Sequence, residues 1–165
     1  MQTFLKGTVL FWLGLAFLSL SEPARAAEQP VYHVPPQKIA TYIAGKKGRK
    51  RALIVWASWC PYCRNEMPNL VKIEKEKPGS LNLVSVDEDF QDLRNYLNRA
   101  GPLPFRIIVV KDTPGQSLNK SLATLNIAPV KGYPTAIYLD ETNKVVQQGG
   151  LEIEHLRTFI FGAKN

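Results

Sequence analysis

The chain has 165 residues and a formal net charge of +7, and two of its residues are cysteines. So short a chain suits one domain around one sizeable core and leaves no comfortable room for a second. The cysteines, Cys60 and Cys63, sit in one short motif, which excludes a framework of structural disulfides, because a bridge closing so small a loop restricts the unfolded chain only slightly.

Residues 1–26 read as a secretory signal peptide. Lys6 gives a positive start, Val9 to Leu20 is apolar apart from Gly14 and Ser19, and Ala24-Arg25-Ala26 places small residues where a signal peptidase reads before a cut at Ala27. The expected product is an exported, periplasmic chain cleaved near Ala26; an uncleaved anchor starting near Phe4 is the alternative. No cysteine follows the apolar run, which argues against a lipoprotein anchor. Loss of Lys6, Glu22 and Arg25 lowers the charge from +7 to +6, so residues 27–165 remain basic. Much of that charge lies in Lys46-Lys47-Gly48-Arg49-Lys50-Arg51, expected as a solvated loop before a buried strand, with an anionic membrane surface or an acidic partner as alternatives. Nucleic acid is not an expected partner of an exported chain.

In chain order, Val31 to Val34 is a strand candidate, and Pro35-Pro36 opens a helix that places Ile39 and Ile43 on one face before Gly45. Ala52 to Ala57 is almost wholly apolar, as in a central strand buried on both faces. A helix begins near Cys60 and carries Cys63, Met67, Leu70 and Val71 at helical spacing; Pro68 should kink it and Lys77-Pro78-Gly79 should stop it. Leu81 to Val86 is a further buried strand, after which Asp87 or Asp89 caps a helix with Phe90, Leu93 and Leu97 on one face and Gly101 at its end. Phe105 to Val110 reads as a strand, Leu118, Leu122 and Leu125 as a short amphipathic helix, and Thr135 to Leu139 with Lys144 to Gln148 as a hairpin turning at Glu141-Thr142-Asn143. The last helix, Glu152 to Phe161, turns Leu156, Phe159 and Ile160 inward. The fold class is therefore α/β with a mixed sheet, without internal repeats.

Trp59-Cys60-Pro61-Tyr62-Cys63 directly follows the apolar strand. A thiol at a helix start meets unpaired backbone N–H groups and the positive end of the helix dipole, so its thiolate is favoured and becomes nucleophilic near neutral pH. A second thiol three residues on can resolve whatever disulfide the first one makes. An inert bridge and a zinc site are weaker readings: tetrahedral zinc wants four ligands, and only His33 and His155 remain as further soft donors. No metal and no cofactor is expected.

These residues resemble the thioredoxin superfamily, in particular its exported TlpA-like branch, which includes ResA and the cytochrome c maturation thioredoxins. The resemblance rests on Trp56-Ala57-Ser58-Trp59-Cys60, on Cys60-Pro61-Tyr62-Cys63-Arg64-Asn65-Glu66-Met67-Pro68, on Val86-Asp87-Glu88-Asp89, and on Gly132-Tyr133-Pro134-Thr135, and it runs from about Leu53 to Phe159. It implies a thioredoxin-like fold over residues 27–165, a central mixed sheet flanked by helices, with a small strand-helix insertion before a cis-proline at Pro134. It also implies that Cys60 is the exposed nucleophile, Cys63 the more buried resolving thiol, and the pair a redox-active disulfide. Tyr133 would offer its backbone to an extended substrate.

Glu66, three residues after Cys63, shares its helix face and is the expected proton acceptor, the alternative being a solvated carboxylate near the helix start. Thioredoxin's buried acid in the preceding strand is replaced here by Ile54. Trp59 and Tyr62 flank the thiols as substrate-facing surface, and Trp56 is better explained as core. Pro61-Tyr62 departs from the branch, where proline precedes the second cysteine; it resembles the glutaredoxin dipeptide, and proline in first place also occurs in the oxidant DsbA. The expected function is an exported thiol:disulfide oxidoreductase, a reductase of specific protein disulfides such as those of apocytochrome c or a copper-site protein, re-reduced by a membrane electron donor. A DsbA-like oxidant and a non-enzymatic assembly or copper-handling module are the alternatives.

Overall fold

The computed structural model describes residues 29–45 and 47–163. The expected signal peptide and its expected cleavage near Ala26 lie outside the described residues, as do Lys46 and the last two positions. Among the described residues no helix is long and apolar enough to cross a membrane.

A short strand β1 (Val31–His33) leads through a 3-10 turn (Pro36–Lys38) into α1 (Ile39–Ala44). Then come β2 (Arg51–Trp56), α2 (Pro61–Glu76), β3 (Leu81–Ser85), α3 (Phe90–Ala100), β4 (Ile107–Val109) and α4 (Leu118–Ala123). The hairpin strands β5 (Thr135–Leu139) and β6 (Val145–Gly150) and the helix α5 (Ile153–Phe161) complete the described chain. The six strands form one sheet in the order β1-β4-β3-β2-β5-β6. β1, β4, β3 and β2 run parallel, while β5 and β6 are antiparallel, which is the mixed α/β sheet that the sequence pattern predicts.

β2 explains the layering. Successive side chains of a strand point to opposite faces, so Ala52, Ile54 and Trp56 enter one core with Met67, Leu70 and Ile73 of α2, Leu93 and Leu97 of α3, and Leu156 and Ile160 of α5. Leu53 and Val55 enter the other, with Ile39 and Ile43 of α1 and Leu118 and Leu122 of α4. Both faces of the strand are buried, which is why it reads as a continuous apolar run. Trp56 is core, as expected, edge-on to Tyr96 at 5.6 Å between ring centroids.

Several details refine or correct the sequence reading. Arg51 is not part of a solvated loop: it opens β2, is buried, and donates from Nη2 to the Ile43 carbonyl at 3.0 Å and to Asn143 Oδ1. That carbonyl lies at the C-terminal end of α1, where a cation is favoured, while burial pulls the guanidinium below its ordinary pKa. The cap of α3 is Asp89, whose Oδ1 accepts from Gln91 N–H at 2.7 Å; Asp87 is employed elsewhere. The strand expected from Phe105 is confined to Ile107–Val109, and the second hairpin strand runs on to Gly150. Helix α2 continues through Pro68 as one unbroken element.

The α2–β3 turn is held by a carboxylate that the sequence pattern did not single out. Buried Glu74 accepts from Gly79 N–H at 2.6 Å and Leu81 N–H at 2.9 Å, and burial raises its pKa. Gly79 adopts φ +81° in this turn, a conformation that side-chain-bearing residues rarely take. Glu74→Gln leaves a single acceptor oxygen and turns an amide N–H₂ toward a backbone donor, so a loss of about 1–3 kcal/mol is expected in chemical denaturation. An unchanged midpoint would show that solvent replaces the carboxylate.

Candidate active site

The β2–α2 junction places the cysteines. After Trp56 the chain makes a tight turn in which Cys60 N–H donates to the Ala57 carbonyl at 3.2 Å. Pro61 then occupies the first helical position, where its fixed φ suits the helix and its missing N–H would have had no partner. Cys60 is thereby the N-cap residue of α2: its Sγ accepts from Cys63 N–H at 3.3 Å, the place that a serine or aspartate oxygen usually fills. The Cys60 thiol also lies against the Tyr133 carbonyl, 3.6 Å away. The two cysteines are unbridged.

Cys60 is less exposed than expected of a nucleophile. It retains 4% of its accessible surface, and Cys63 2%. The Tyr133 backbone carbonyl, 73 residues away in sequence, lies against the Cys60 thiol. Both cysteines belong to the buried cluster that holds Met67. Burial pushes the Cys63 thiol up to about 12; the hydrogen bond to Cys60 adds to this, and one with the Ala57 backbone works against it.

Around the buried sulfurs stands an exposed aromatic rim: Trp59 at 56% exposure, Tyr62 at 74% and Tyr133 at 36%. Trp59 and Tyr133 meet edge to face with centroids 5.9 Å apart. The Tyr133-Pro134 peptide is cis, as the resemblance implied. A depression between Trp59 and Tyr133 is lined further by Val86, Glu88, Asp89 and Asp92. Burial, with Asp112 and Glu88 nearby, raises the Tyr133 phenol pKa.

Glu66 is half-buried and accepts from Asn69 Nδ2 at 2.8 Å; it makes no hydrogen bond to either sulfur. The structure thus gathers Cys60, Cys63, Trp59, Tyr62, Tyr133 and Pro134 at the N-terminal end of α2 and sets Glu66 one turn along that helix. His33 and His155 serve as packing partners, edge-on to Phe90 and Tyr138 respectively. Among the described residues no group of three or more histidine, cysteine or acidic side chains is placed to hold a metal ion.

Two supports went unseen in the sequence. Asn119 of α4 accepts from Val130 N–H at 2.9 Å and donates to the Val130 carbonyl at 3.3 Å, tying the insertion helix to the segment that leads into Tyr133. Asp87, directly after β3, binds the turn before Cys60. The signal for Asp87 was the Ser85-x-Asp87 spacing, which puts two polar residues on one side of the chain as it leaves β3.

Comparison with known proteins agrees with this geometry. The family described as Redoxin matches residues 33–156. The thiol-disulfide oxidoreductase ResA of Bacillus thuringiensis (strain Al Hakam) is 29% identical over 154 residues, covering 87% of this chain and 80% of its own length. The sporulation thiol-disulfide oxidoreductase A of Bacillus subtilis (strain 168) is 28% identical over 134 residues, covering 74% and 75%. Among solved structures, the exposed lipoprotein thioredoxin of Streptococcus pneumoniae strain TIGR4 superposes with a TM-score of 0.54 at 24% identity, over 71% of this chain and 87% of that one. A thioredoxin-family thiol:disulfide interchange protein from Chlorobium tepidum TLS gives 0.53 at 21% identity, over 73% and 81%. The two structural likenesses establish the thioredoxin-like fold, the two oxidoreductases are what the chain is similar to in sequence, and the match over residues 33–156 places the chain in the Redoxin family.

Proposed function

We propose that this chain is an exported thiol:disulfide oxidoreductase that reduces particular protein disulfides. The observation that carries the reading is Cys60 Sγ at the N-cap of α2, 3.3 Å from Cys63 N–H and 3.6 Å from the Tyr133 carbonyl. Helix-terminal N–H groups stabilise the attacking thiolate, and the carbonyl marks where substrate backbone would run.

In the first step the Cys60 thiolate attacks one sulfur of the substrate disulfide. A Cys60–substrate bond forms, the substrate S–S bond breaks, and the departing sulfur takes a proton. In the second, Cys63 loses its proton and attacks Cys60 Sγ, releasing the second substrate thiol and leaving a Cys60–Cys63 disulfide. Two electrons have passed to the substrate, and a membrane dithiol donor would restore them. Glu66 accepts the Cys63 proton, directly or through water, while Trp59, Tyr62, Tyr133 and Pro134 hold the substrate chain. The reductase direction is the reading proposed, and the potential of the cysteine pair decides it, because oxidants of this fold class owe their strength to a stabilised reduced form.

In this reading residues 1–26 are the cleaved signal and residues 27–165 the working domain, in the periplasm or its equivalent. Apocytochrome c or a copper-site protein would be the substrate. The test is the reduction potential of the cysteine pair against a glutathione or dithiothreitol couple. A potential near that of thioredoxin, about −270 mV, is expected; one near −120 mV, the DsbA range, would replace the reductase by an oxidant. Fractionation and N-terminal sequencing of the product from the full-length gene check the export reading, for which a mature chain beginning near Ala27 is the expected result.

A further inference from the structure

We infer that Asp87 is a positioning residue for Cys60, acting through Ser58; the inference rests on the thiol-exchange reading above. Asp87 retains 2% of its accessible surface, and Ser58 and Ser85 are likewise buried. Its carboxylate accepts from Ser58 N–H with both oxygens, at 3.1 and 3.0 Å, from Ser58 Oγ at 2.6 Å and from Ser85 Oγ at 2.5 Å. Ser85 Oγ in turn accepts from Asp87 N–H at 3.1 Å.

A buried carboxylate is costly unless hydrogen bonds satisfy it. Here the donors come from two places, the end of its own strand and the turn between β2 and α2. The second set reaches across 29 residues of sequence. Ser58 stands two residues before Cys60, in the turn that the Cys60 N–H closes on the Ala57 carbonyl. Clamping Ser58 inward fixes that turn. It sends Trp59 outward against Tyr133 and delivers Cys60 Sγ to Cys63 N–H and to the Tyr133 carbonyl. The clamp touches neither sulfur, so it acts on reactivity through geometry. Hydrogen bonds to a charged acceptor are stronger than those between neutral groups, which suits a device that must hold a turn in register while a substrate chain is pulled against it. The position also answers a question left by Ile54: a buried acid is present beside this active site, but it enters from β3 and grips the backbone of the turn.

The two serines provide the test, because they bind the same carboxylate from opposite sides. Ser58→Ala removes the hydroxyl bond on the cysteine side, leaving the backbone N–H of that residue on the carboxylate, and Ser85→Ala removes the hydroxyl bond on the strand side. Both variants are measured for thermal unfolding, for the iodoacetamide rate at Cys60 across pH, and for exchange with a chromogenic aryl disulfide. Both are expected to lower the unfolding temperature, whereas Ser58→Ala alone slows Cys60 alkylation and exchange, by on the order of tenfold. Asp87→Asn, which turns an amide N–H₂ toward Ser58, should slow both further, and Ser58→Thr, which keeps the hydroxyl, should restore them. Equal rate losses in the two alanine variants, tracking their stability, would make Asp87 a structural residue only and overturn the inference, as would Ser58→Ala reacting like wild type. If wild-type protein itself fails to exchange with the aryl disulfide, the functional reading falls instead, and the iodoacetamide rates still decide the role of Asp87.

Discussion

Cys60→Ala is expected to lower disulfide reduction by on the order of 10³-fold or more, whereas Cys63→Ala should stop turnover while leaving the first attack intact. The asymmetry follows from the positions of the sulfurs. Cys60 Sγ caps α2 and lies at the aromatic rim, 3.6 Å from a backbone carbonyl that a substrate strand can replace as neighbour. Cys63, inside the first turn of α2 and at 2% exposure, is expected to reach a substrate only through the bond that Cys60 has made. Incubation of the Cys63→Ala protein with a disulfide-bonded peptide should therefore accumulate a covalent adduct at Cys60, readable as a mass increase that dithiothreitol removes. Exchange surviving in Cys60→Ala, or no adduct at Cys60 in Cys63→Ala, would sink the exchange mechanism and leave the fold as a binding module. Cys60 is nearly covered at 4% exposure, so the attack also requires the substrate to part Trp59 from Tyr133. Tyr133→Ala should for that reason raise the rate with a small aryl disulfide while weakening reduction of a polypeptide, and the two substrates assayed side by side separate cover from docking.

The architecture was legible because its strongest elements obey local rules. β2 is apolar at every position from Ala52 to Trp56, and a strand buried on both faces has no other way to be written. α2 announces itself by Pro61 at its first position, its buried Cys63, Met67 and Leu70, and the Pro78-Gly79 stop. The thiol pair was legible because chemistry and position coincide there. What escaped notice are the groups whose partners lie far away in sequence. Arg51 ends a run of basic residues and reads as one more solvated charge; its burial depends on the α1 carbonyl and on Asn143, 92 residues on. Asp87 looks like a helix cap, and only the fold brings Ser58 to it. Glu74 looks like an ordinary helix-surface acid until the α2–β3 turn wraps its donors around it. Each is a polar group at a junction between elements, where hydrophobic periodicity carries no information.

The resolving step should carry the steepest pH dependence of the reaction, and Glu66 should govern it. Burial pushes the Cys63 thiol up to about 12, so at neutral pH its thiolate is far scarcer than the few per cent of an ordinary thiol. A thiolate of higher pKa is intrinsically the better nucleophile, by roughly half a power of ten for each unit, which offsets about half of that loss. The deficit that remains is of the kind one positioned general base offsets, such a base being worth about 10²–10⁴-fold. The hydrogen bond from Cys63 to Cys60 is a secondary cause of the raised value, and burial, the primary one, persists once Cys60 is joined to substrate. Glu66, one helical turn from Cys63 and held by Asn69, is the nearest carboxylate on that helix to serve as the base. With a chromogenic aryl disulfide, the first thiol released reports the attack by Cys60 and the second reports resolution by Cys63. In wild-type protein the second release should vary by less than about tenfold per pH unit between roughly pH 6 and 9. Glu66→Gln should slow it by about ten- to a hundredfold at neutral pH and steepen it toward tenfold per unit, as hydroxide takes over the proton, while leaving the first release unchanged. Parallel pH profiles for the second release in the two proteins would return Glu66 to a solvated helix position and require the proton to leave Cys63 through water alone. The same raised thiol predicts the sign of a stability effect: the folded chain holds that proton more tightly than the unfolded chain does, so the contribution is complete below the ordinary thiol range and is lost as pH rises toward about 12. Cys63→Ala should remove this part of the alkaline decline in stability, whereas Glu66→Gln, which acts on the rate of proton transfer, should leave it in place.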